Sequence, residues 1–298
     1  MIVNYPRMRR HRAAWPDDLD TALQFASANP FSISAPKNWD GKLEYTNGSG
    51  WKEWDGSEIT SGKTGSNHCI YLRGTGNSKI TGINSYRAKW NVTGVNIACN
   101  GDIDLLLDYS TVKSGNRPAM ASYCYSFMFY RCTSLTTAPS LPATTLASSC
   151  YSNMFPGCTS LTTAPSLPAT TLAISCYYNM FQGCTSLTTA PSLPATTLAG
   201  HCYRSMFYSC TSLTTAPSLP ATTLASYCYY NMFQGCTKIK LSSTASGTYT
   251  KSYRIPKSGT GTMASSALSN MFANTGGTFA GTPEINTTYY LDESNTIV

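Results

Sequence analysis

Acid–base catalysis and metal binding depend on carboxylate and imidazole side chains, and this chain of 298 residues has few of them where its sequence is most regular. No Asp or Glu occurs between Asp108 and Glu284, and His201 is the only histidine in that stretch. Glycoside hydrolysis, aspartyl proteolysis and most hydrolytic metal sites need at least one carboxylate as an acid, a base or a ligand. The sequence therefore predicts a non-enzymatic protein with no catalytic residue, cofactor or metal site.

Cysteine is the other residue type that could do chemistry, and ten of the twelve cysteines recur in the pattern C-Y-x-x-M-F-x-x-C. This spacing differs from the closely spaced cysteine pairs of zinc sites. If the pattern were helical, its two thiols would lie about 12 Å apart, too far for a disulfide. We expect buried free thiols, with disulfides between neighbouring repeats and metal ligation as the alternatives.

These cysteines belong to an internal repeat. The segment CTSLTTAPSLPATTLA occurs four times unchanged, with a period of 26 residues, starting at Cys132, Cys158, Cys184 and Cys210. Periods of 20–50 residues indicate solenoids or arrays, in which each unit packs against its neighbours, and this period falls in the leucine-rich-repeat range. In the third unit the apolar spacing predicts a short helix over 176–184, a strand over 186–189, and a bend at the prolines that follow.

The units differ from one another at a small set of positions, which we expect to face outwards. Variable Tyr, Asn, Ser and Arg side chains on a constant frame are typical of adaptable binding surfaces, although neutral drift after duplication would leave the same pattern. The candidate binding residues on this outer face are Tyr178, Asn179, His201, Arg204, Tyr208, Tyr227 and Tyr230.

Residues 29–100 precede the repeats and predict a small β-sandwich-like domain, because short β-favouring segments alternate with turn dipeptides such as Asp40-Gly41. Trp51 and Trp54 could stack on sugars if they are exposed, whereas buried aromatic residues are the commoner case. Asp102, Asp104 and Asp108 follow this domain but lack the Gly and Glu of an EF-hand loop, so we expect solvated carboxylates.

Residues 1–28 predict a docking segment, made of a basic arm and a short amphipathic helix that starts near Pro16. No apolar stretch of the kind found in signal peptides follows the arm. We expect the arm to contact an acidic surface on a partner, with a solvated tail or a nucleic-acid contact as alternatives. Its basic residues are Arg7, Arg9, Arg10 and Arg12.

The net charge of +7 is too mild and too scattered to predict a nucleic-acid-binding protein, and no apolar run is long enough to span a membrane. The predicted repeat region covers residues 101–285, with an atypical unit at its end where Asn270-Met271-Phe272 repeats the earlier pattern imperfectly. Residues 286–298 form a predicted C-terminal tail.

The repeat C-Y-x-x-M-F-x-G-C-T-S-L-T-T-A-P-x-L-P-A-T-T-L-A resembles the BspA-like leucine-rich repeats, also called bacterial surface protein 26-residue repeats. The upstream segments WDGKLEY, WKEWDG and IYLRGTGN resemble the β-domain that precedes such repeats in proteins of gut Bacteroidales and their phages. The two likenesses cover about residues 35–285. Together with the repeat pattern they imply an α+β fold, in which a β-sandwich-like domain precedes a leucine-rich-repeat solenoid with a degenerate C-terminal cap.

Proteins with such repeats are mostly cell-surface proteins implicated in adhesion, and some are encoded by phages. The resemblance therefore implies a structural or binding protein, which we expect to be a phage virion component such as a fibre, tail or capsid-decorating protein. Its expected partners are other virion proteins at the N-terminal segment, within an oligomeric assembly, and a host cell-surface protein or glycan at the repeats. The alternatives are a bacterial cell-surface adhesin and a carbohydrate-binding module that uses the tryptophan-rich β-domain.

Overall fold

The computed structural model describes residues 15–298, and it is mainly β, with 25% of the chain in strands and 5% in helix. The first strands are β1 (Leu23–Ser27), β2 (Ser32–Ser34), β3 (Lys42–Thr46), β4 (Lys52–Glu53), β5 (Ile59–Thr60), β6 (Gly62–Thr64), β7 (Asn67–Thr75), β8 (Asn91–Thr93) and β9 (Ile97–Asn100). The single α-helix within these residues, α1 (Leu105–Lys113), comes next. The later strands are β10 (Leu135–Thr137), β11 (Thr215–Ala216), β12 (Thr223–Leu224), β13 (Lys240–Ser242), β14 (Tyr249–Arg254), β15 (Thr262–Met263), β16 (Gly276–Gly277), β17 (Thr288–Asp292) and β18 (Thr296–Ile297). Two short 3-10 helices cover Leu19–Thr21 and Tyr86–Ala88.

The strands form five separate sheets. A seven-stranded sheet has the order β10-β9-β1-β7-β3-β4, with β6 also paired to β7, and only its β9–β10 pair is parallel. The order β5-β2-β8 defines a second sheet, and β14-β17-β13-β16 defines a third near the C-terminus. The pairs β11–β18 and β12–β15 are parallel. Since β10 belongs to the first repeat unit, the first sheet joins the N-terminal region to the repeats.

The helix predicted after Pro16 is wrong. Only Leu19–Thr21 form a helical turn, and the next residues are strand β1, in which Leu23, Phe25 and Ser27 are buried on one face. This strand pairs with β7 on one side and β9 on the other. An isolated short helix is marginal in water, so the hydrogen bonds of a central strand decide the conformation. The basic arm lies outside the described residues.

The predicted α+β leucine-rich-repeat solenoid, with a short helix in every unit, is also wrong. The CYxxMF segments, which we define as residues 124–132, 150–158, 176–184, 202–210 and 228–236, consist of consecutive turns. In and just before the third segment, Ser175, Asn179 and Gly183 have φ angles of 57°, 54° and 69°. A left-handed residue at every fourth position interrupts an α-helix, and Asn and Gly are the residue types that adopt this conformation most readily.

Backbone hydrogen bonds in these segments alternate between local and inter-unit partners. The amide of Met180 donates to the carbonyl of Tyr177 at 3.3 Å, whereas the amide of Phe181 donates to the carbonyl of Met206, in the next unit, at 2.9 Å. An α-helix would instead satisfy its interior amides within the same segment. A single CYxxMF segment therefore depends on its neighbours for its backbone hydrogen bonds.

Equivalent side chains of successive units stack on one another. The rings of Tyr177 and Tyr203 are 5.7 Å apart and within 6° of parallel, and those of Phe181 and Phe207 are 5.8 Å apart and also within 6°. Parallel bridges join Thr145, Thr171, Thr197 and Thr223 along another edge of the units. Within the CYxxMF segments, stacking at equivalent positions places residues that are 26 positions apart next to each other in space.

All twelve cysteines are buried free thiols, which confirms that expectation. The second cysteine of a segment can donate a hydrogen bond to the preceding segment. The thiol of Cys184 donates to the carbonyl of Phe155 at 3.2 Å, and that of Cys210 donates to the carbonyl of Phe181 at 3.0 Å. Burial raises the pKa of Cys184 to about 12. The thiols are therefore protonated core groups at neutral pH.

The stack ends on a related segment near the C-terminus. The ring of Phe272 lies 5.4 Å from that of Phe233, within 9° of parallel, and the carbonyl of Ala273 accepts the amide of Gly235 at 2.9 Å. The terminal segment thus covers the last face of the array with the same hydrogen bonds and ring stacking that join the units.

Candidate functional site

The CYxxMF segments carry two rows of equivalent residues, most of which are partly exposed, whereas Ser126, Ser149 and Ser152 are buried. The 201 row, just before each segment, consists of Tyr123, Ser149, Ser175, His201 and Tyr227. The 204 row, one turn further on, consists of Ser126, Ser152, Tyr178, Arg204 and Tyr230. All members of the 201 row have positive φ angles, so each occupies the left-handed position of a turn. The constant backbone therefore presents different side chains at the same place in every unit.

Arg204 is held between the aromatic residues on either side of it in its row. Its guanidinium carbon lies 5.6 Å from the ring centre of Tyr178 and 4.8 Å from that of Tyr230. The ring of Tyr227 is 5.6 Å away. Cations within about 6 Å of an aromatic ring are attracted to its electron-rich face. We call Tyr178, His201, Arg204, Tyr227 and Tyr230 the Arg204 cluster.

His201 completes the cluster through a stacked ring and a hydrogen bond. Its ring lies 4.9 Å from that of Tyr227 and within 4° of parallel, and its Nδ1 is 3.3 Å from Nη1 of Arg204. A guanidinium can only donate, so Nδ1 accepts and the ring proton is on Nε2. Burial and the positive charge of Arg204 lower the pKa of His201. The imidazole is therefore neutral at neutral pH.

A cavity of about 390 Å³ opens beside the cluster and includes Tyr178, His201 and Arg204 in its wall. Small hydroxyl side chains line much of the rest, at Ser148, Ser149, Ser152 and Ser175. The cavity lies where serines in the two rows give way to Tyr178 and Arg204. Its volume is in the range of about 300–1,000 Å³ typical of small-molecule sites.

The predicted site residues thus separate into two groups. Five of them form the Arg204 cluster, whereas Asn179 and Tyr208 lie outside it. Asn179 is in a left-handed turn position, and its side-chain amide donates to Oδ1 of Asn153 at 3.1 Å. The carbonyl of Tyr208 accepts the amide of Gly183 at 2.7 Å. Asn179 therefore supports the turn. Neither of these hydrogen bonds involves a residue of the Arg204 cluster, so the prediction that Asn179 and Tyr208 bind a ligand stays a prediction.

Trp54 is buried, as is commoner for such aromatic residues, because its side chain is only 1% exposed, and this excludes the possibility that it stacks on sugars. It packs between Trp39, at 5.4 Å, and Trp90, at 5.2 Å, in the N-terminal core. Trp51 is half-buried and has its own partners: the guanidinium of Arg73 lies 4.0 Å from its ring, and its indole N–H donates to Asp18 at 2.8 Å. A carbohydrate-binding module built on these two tryptophans therefore loses its basis.

The Arg73 contacts were not visible in the sequence. Arg73 forms ion pairs with Asp18 at 2.5 Å and Glu44 at 2.9 Å, and its guanidinium also lies 4.4 Å from the ring of Tyr109. These three partners come from distant parts of the chain, so no local spacing could indicate them. The contacts of Arg73, which lies in β7, join this strand to Glu44 in β3 and to Tyr109 in α1. The docking residues Arg7, Arg9, Arg10 and Arg12 lie outside the described residues.

Asp104 is a second group that the sequence misplaced, since it is fully buried and not solvated. The hydroxyl of Tyr125 donates to its Oδ1 at 3.0 Å, and Nη1 of Arg117 lies 3.5 Å from its Oδ2. Burial, together with the negative charge of Asp102, raises the pKa of Asp104 to about 6. A cavity of about 360 Å³ borders Asp104 and Arg117. No sequence pattern distinguished this aspartate from Asp102 and Asp108, which are only partly buried.

Among residues 15–298, no three His, Cys, Asp or Glu side chains are placed to hold a metal ion together. In the same part of the chain, no helix is long and apolar enough to cross a membrane. No protein-family model, curated protein or solved structure matches the sequence.

Proposed function

We propose that this chain is a non-enzymatic attachment protein that binds a partner through the Arg204 cluster and the cavity beside it. The observation that carries the proposal is a partly buried arginine, flanked by Tyr178 and Tyr230, on a surface region without carboxylates. Aromatic residues and arginine are enriched in the energetically dominant parts of binding interfaces. His201 has Nδ1 occupied by Arg204 and no carboxylate to orient it, which favours binding over acid–base catalysis.

We propose a phage virion as the setting, with the chain as a fibre, tail or capsid-decorating protein. The resemblance of the repeat sequence to BspA-like repeats supports this, since such proteins are implicated in adhesion and some are encoded by phages. In the alternative setting, a bacterial cell surface, the same cluster would serve an adhesin. Antibodies against the chain distinguish these settings, because they would label purified phage particles in the first and intact bacterial cells in the second.

Binding of the labelled full chain to gut Bacteroidales cells tests the attachment proposal. The chain itself suggests the substitution Arg204→Ser, because Ser152 occupies the equivalent position two units earlier. We expect this substitution to lower cell binding by about tenfold or more, as hot-spot residues do. The matched control is Thr197→Ser, an exposed position on the bridged threonine edge. Equal binding by both variants and the unchanged chain would overturn the proposal.

A further inference from the structure

We propose that the ligand of the Arg204 cluster is a carboxylate-bearing sugar, whose carboxylate pairs with Arg204 while its hydroxyls enter the serine-lined cavity. This inference rests on the proposed attachment function and names the ligand class of the same site.

Arg204 carries a positive charge that has no counter-ion among the described residues. Among the described residues, the ion pairs involve Arg73, Arg117 and Lys240, and none involves Arg204. The sequence places no carboxylate between Asp108 and Glu284, so the units around the cluster cannot supply one. A partly desolvated cation without a counter-ion is unfavourable, and a bound anion removes that cost.

The guanidinium of Arg204 also has N–H groups that make no hydrogen bond within the described residues. Because Nε of Arg204 is buried, a ligand must approach the two Nη atoms, and the only hydrogen-bond partner of Nη1 is the imidazole of His201. The tyrosine rings attract the positive charge through their faces, but ring faces do not replace in-plane oxygen acceptors. A carboxylate offers two oxygens in the plane of the fork and can accept two parallel N–H bonds.

The wall of the cavity favours a sugar over an acidic peptide. The partly exposed hydroxyls of Ser148 and Ser175 each donate and accept, as sugar hydroxyls do, and the exposed amide of Asn84 adds a further donor and acceptor. The ring of Tyr178 forms an apolar wall. Ile174, which is 60% exposed, lies at the rim. Neutral polar groups beside one cation match a ligand that carries many hydroxyls and one negative charge.

A single arginine also favours a carboxylate over a phosphate. The cavity wall contains no Lys and only one Arg, and His201 is neutral at neutral pH. A phosphomonoester carries between one and two negative charges at pH 7, which calls for more cationic groups than this wall provides. Sulfated sugars share the single charge of a carboxylate but present a tetrahedral group, so they serve as a separate arm of the test.

Titration calorimetry of the full chain with matched sugars tests the inference. The probes are trigalacturonate and its carboxyl-reduced form, and sialyl-lactose and lactose; the members of each pair differ in a carboxylate-bearing group. Galactose 6-sulfate and triglutamate complete the set. We expect at least one acidic sugar to bind, its neutral counterpart to bind about tenfold more weakly or worse, and added salt to weaken binding.

Variants at Arg204 supply the second readout. Arg204→Gln should lower affinity for the acidic sugar by about tenfold or more, and Arg204→Lys should give an intermediate loss, because lysine keeps the charge without the planar fork. Arg204→Ser removes the guanidinium in a second way. If these variants unfold at the same temperature as the unchanged chain, their units still stack. Affinity that is equal in Arg204→Gln and the unchanged chain would contradict the inference.

Several other outcomes would also overturn it: no binding of either acidic sugar, equal binding of a neutral counterpart, or tighter binding of galactose 6-sulfate or triglutamate. Cell binding then separates the two proposals. If Arg204→Ser still abolishes attachment to cells, the attachment function stands and only the ligand class is wrong. If Arg204→Ser attaches as well as the unchanged chain, the attachment function fails too.

Discussion

Replacing Asp104 by Asn should change how the stability of this protein depends on pH. The carboxyl is fully buried, near the charges of Asp102 and Arg117, and the hydroxyl of Tyr125 donates to it. Asparagine has nearly the same shape, and its carbonyl oxygen can still accept the Tyr125 bond. The substitution therefore removes the ionisation of Asp104 and leaves most of the packing in place.

The magnitude follows from the pKa of Asp104 in the two states. Burial and the charge of Asp102 raise the pKa from the ordinary value of 3.8 to about 6 in the folded protein. A folded-state carboxyl with a raised pKa binds more protons than the unfolded chain, so stability falls as pH rises between these values. From pH 4.5 to pH 8 this one group should lower the free energy of unfolding by about 2 kcal/mol.

Urea unfolding of the unchanged chain and of Asp104→Asn, at pH 4.5 and pH 8, measures this effect. The free energy of unfolding of the variant, relative to that of the unchanged chain, should rise by about 2 kcal/mol from pH 4.5 to pH 8. Asp108→Asn is the control. Although partial burial opposes it, hydrogen bonds from Ser110, Thr111 and Gly76 lower the pKa of Asp108 to about 2, so both of its pKa values lie below this window. If Asp104→Asn and the unchanged chain differ in free energy of unfolding by the same amount at both pH values, the reasoning is refuted.

Three further predictions concern the repeat units. Met180→Ala should lower the free energy of unfolding by about 2–5 kcal/mol, because Met180 is fully buried in the middle of the stack; a loss below about 1 kcal/mol in urea unfolding would show that the side chains do not interlock. Asn179→Ala should cost about 1–2 kcal/mol, since φ is 54° at this position, and Asn179→Gly should cost less; the reverse order in thermal unfolding would contradict the left-handed turn. A thiol reagent should label no cysteine among the twelve buried ones until the protein is unfolded, and rapid labelling of the native chain would show that the core is open.

The location of the repeated core was readable in the sequence. The 26-residue period placed Tyr177, Met180, Phe181 and Cys184 at equivalent positions in every unit, and these positions are buried in the structure. Repetition carries this information because a residue that recurs unchanged in units that pack on one another meets its own copy. The same period also implied that Tyr178, Arg204 and Tyr230 are neighbours, because they are 26 residues apart.

The conformation of the CYxxMF segments was not readable from apolar spacing. Apolar residues at i, i+4, i+5 and i+8 fit one face of a helix, and they also fit a chain that turns once every four residues. The signal that separates the two was present: Ser175, Asn179 and Gly183 stand at four-residue spacing, and Asn and Gly are favoured in left-handed positions. What decided between them was the hydrogen bonding of alternate amides to the next unit, a long-range interaction.

Tertiary structure alone decided the environments of the isolated polar and aromatic residues. Trp54 is enclosed by Trp39 and Trp90, Trp51 is covered by Arg73, and Asp104 is buried beside Tyr125. None of these residues recurs with the period, so nothing in the sequence indicated which groups would face them. Periodic residues reveal their neighbours because every unit repeats the same contact, whereas the surroundings of a residue that occurs once depend on how distant segments of the chain meet.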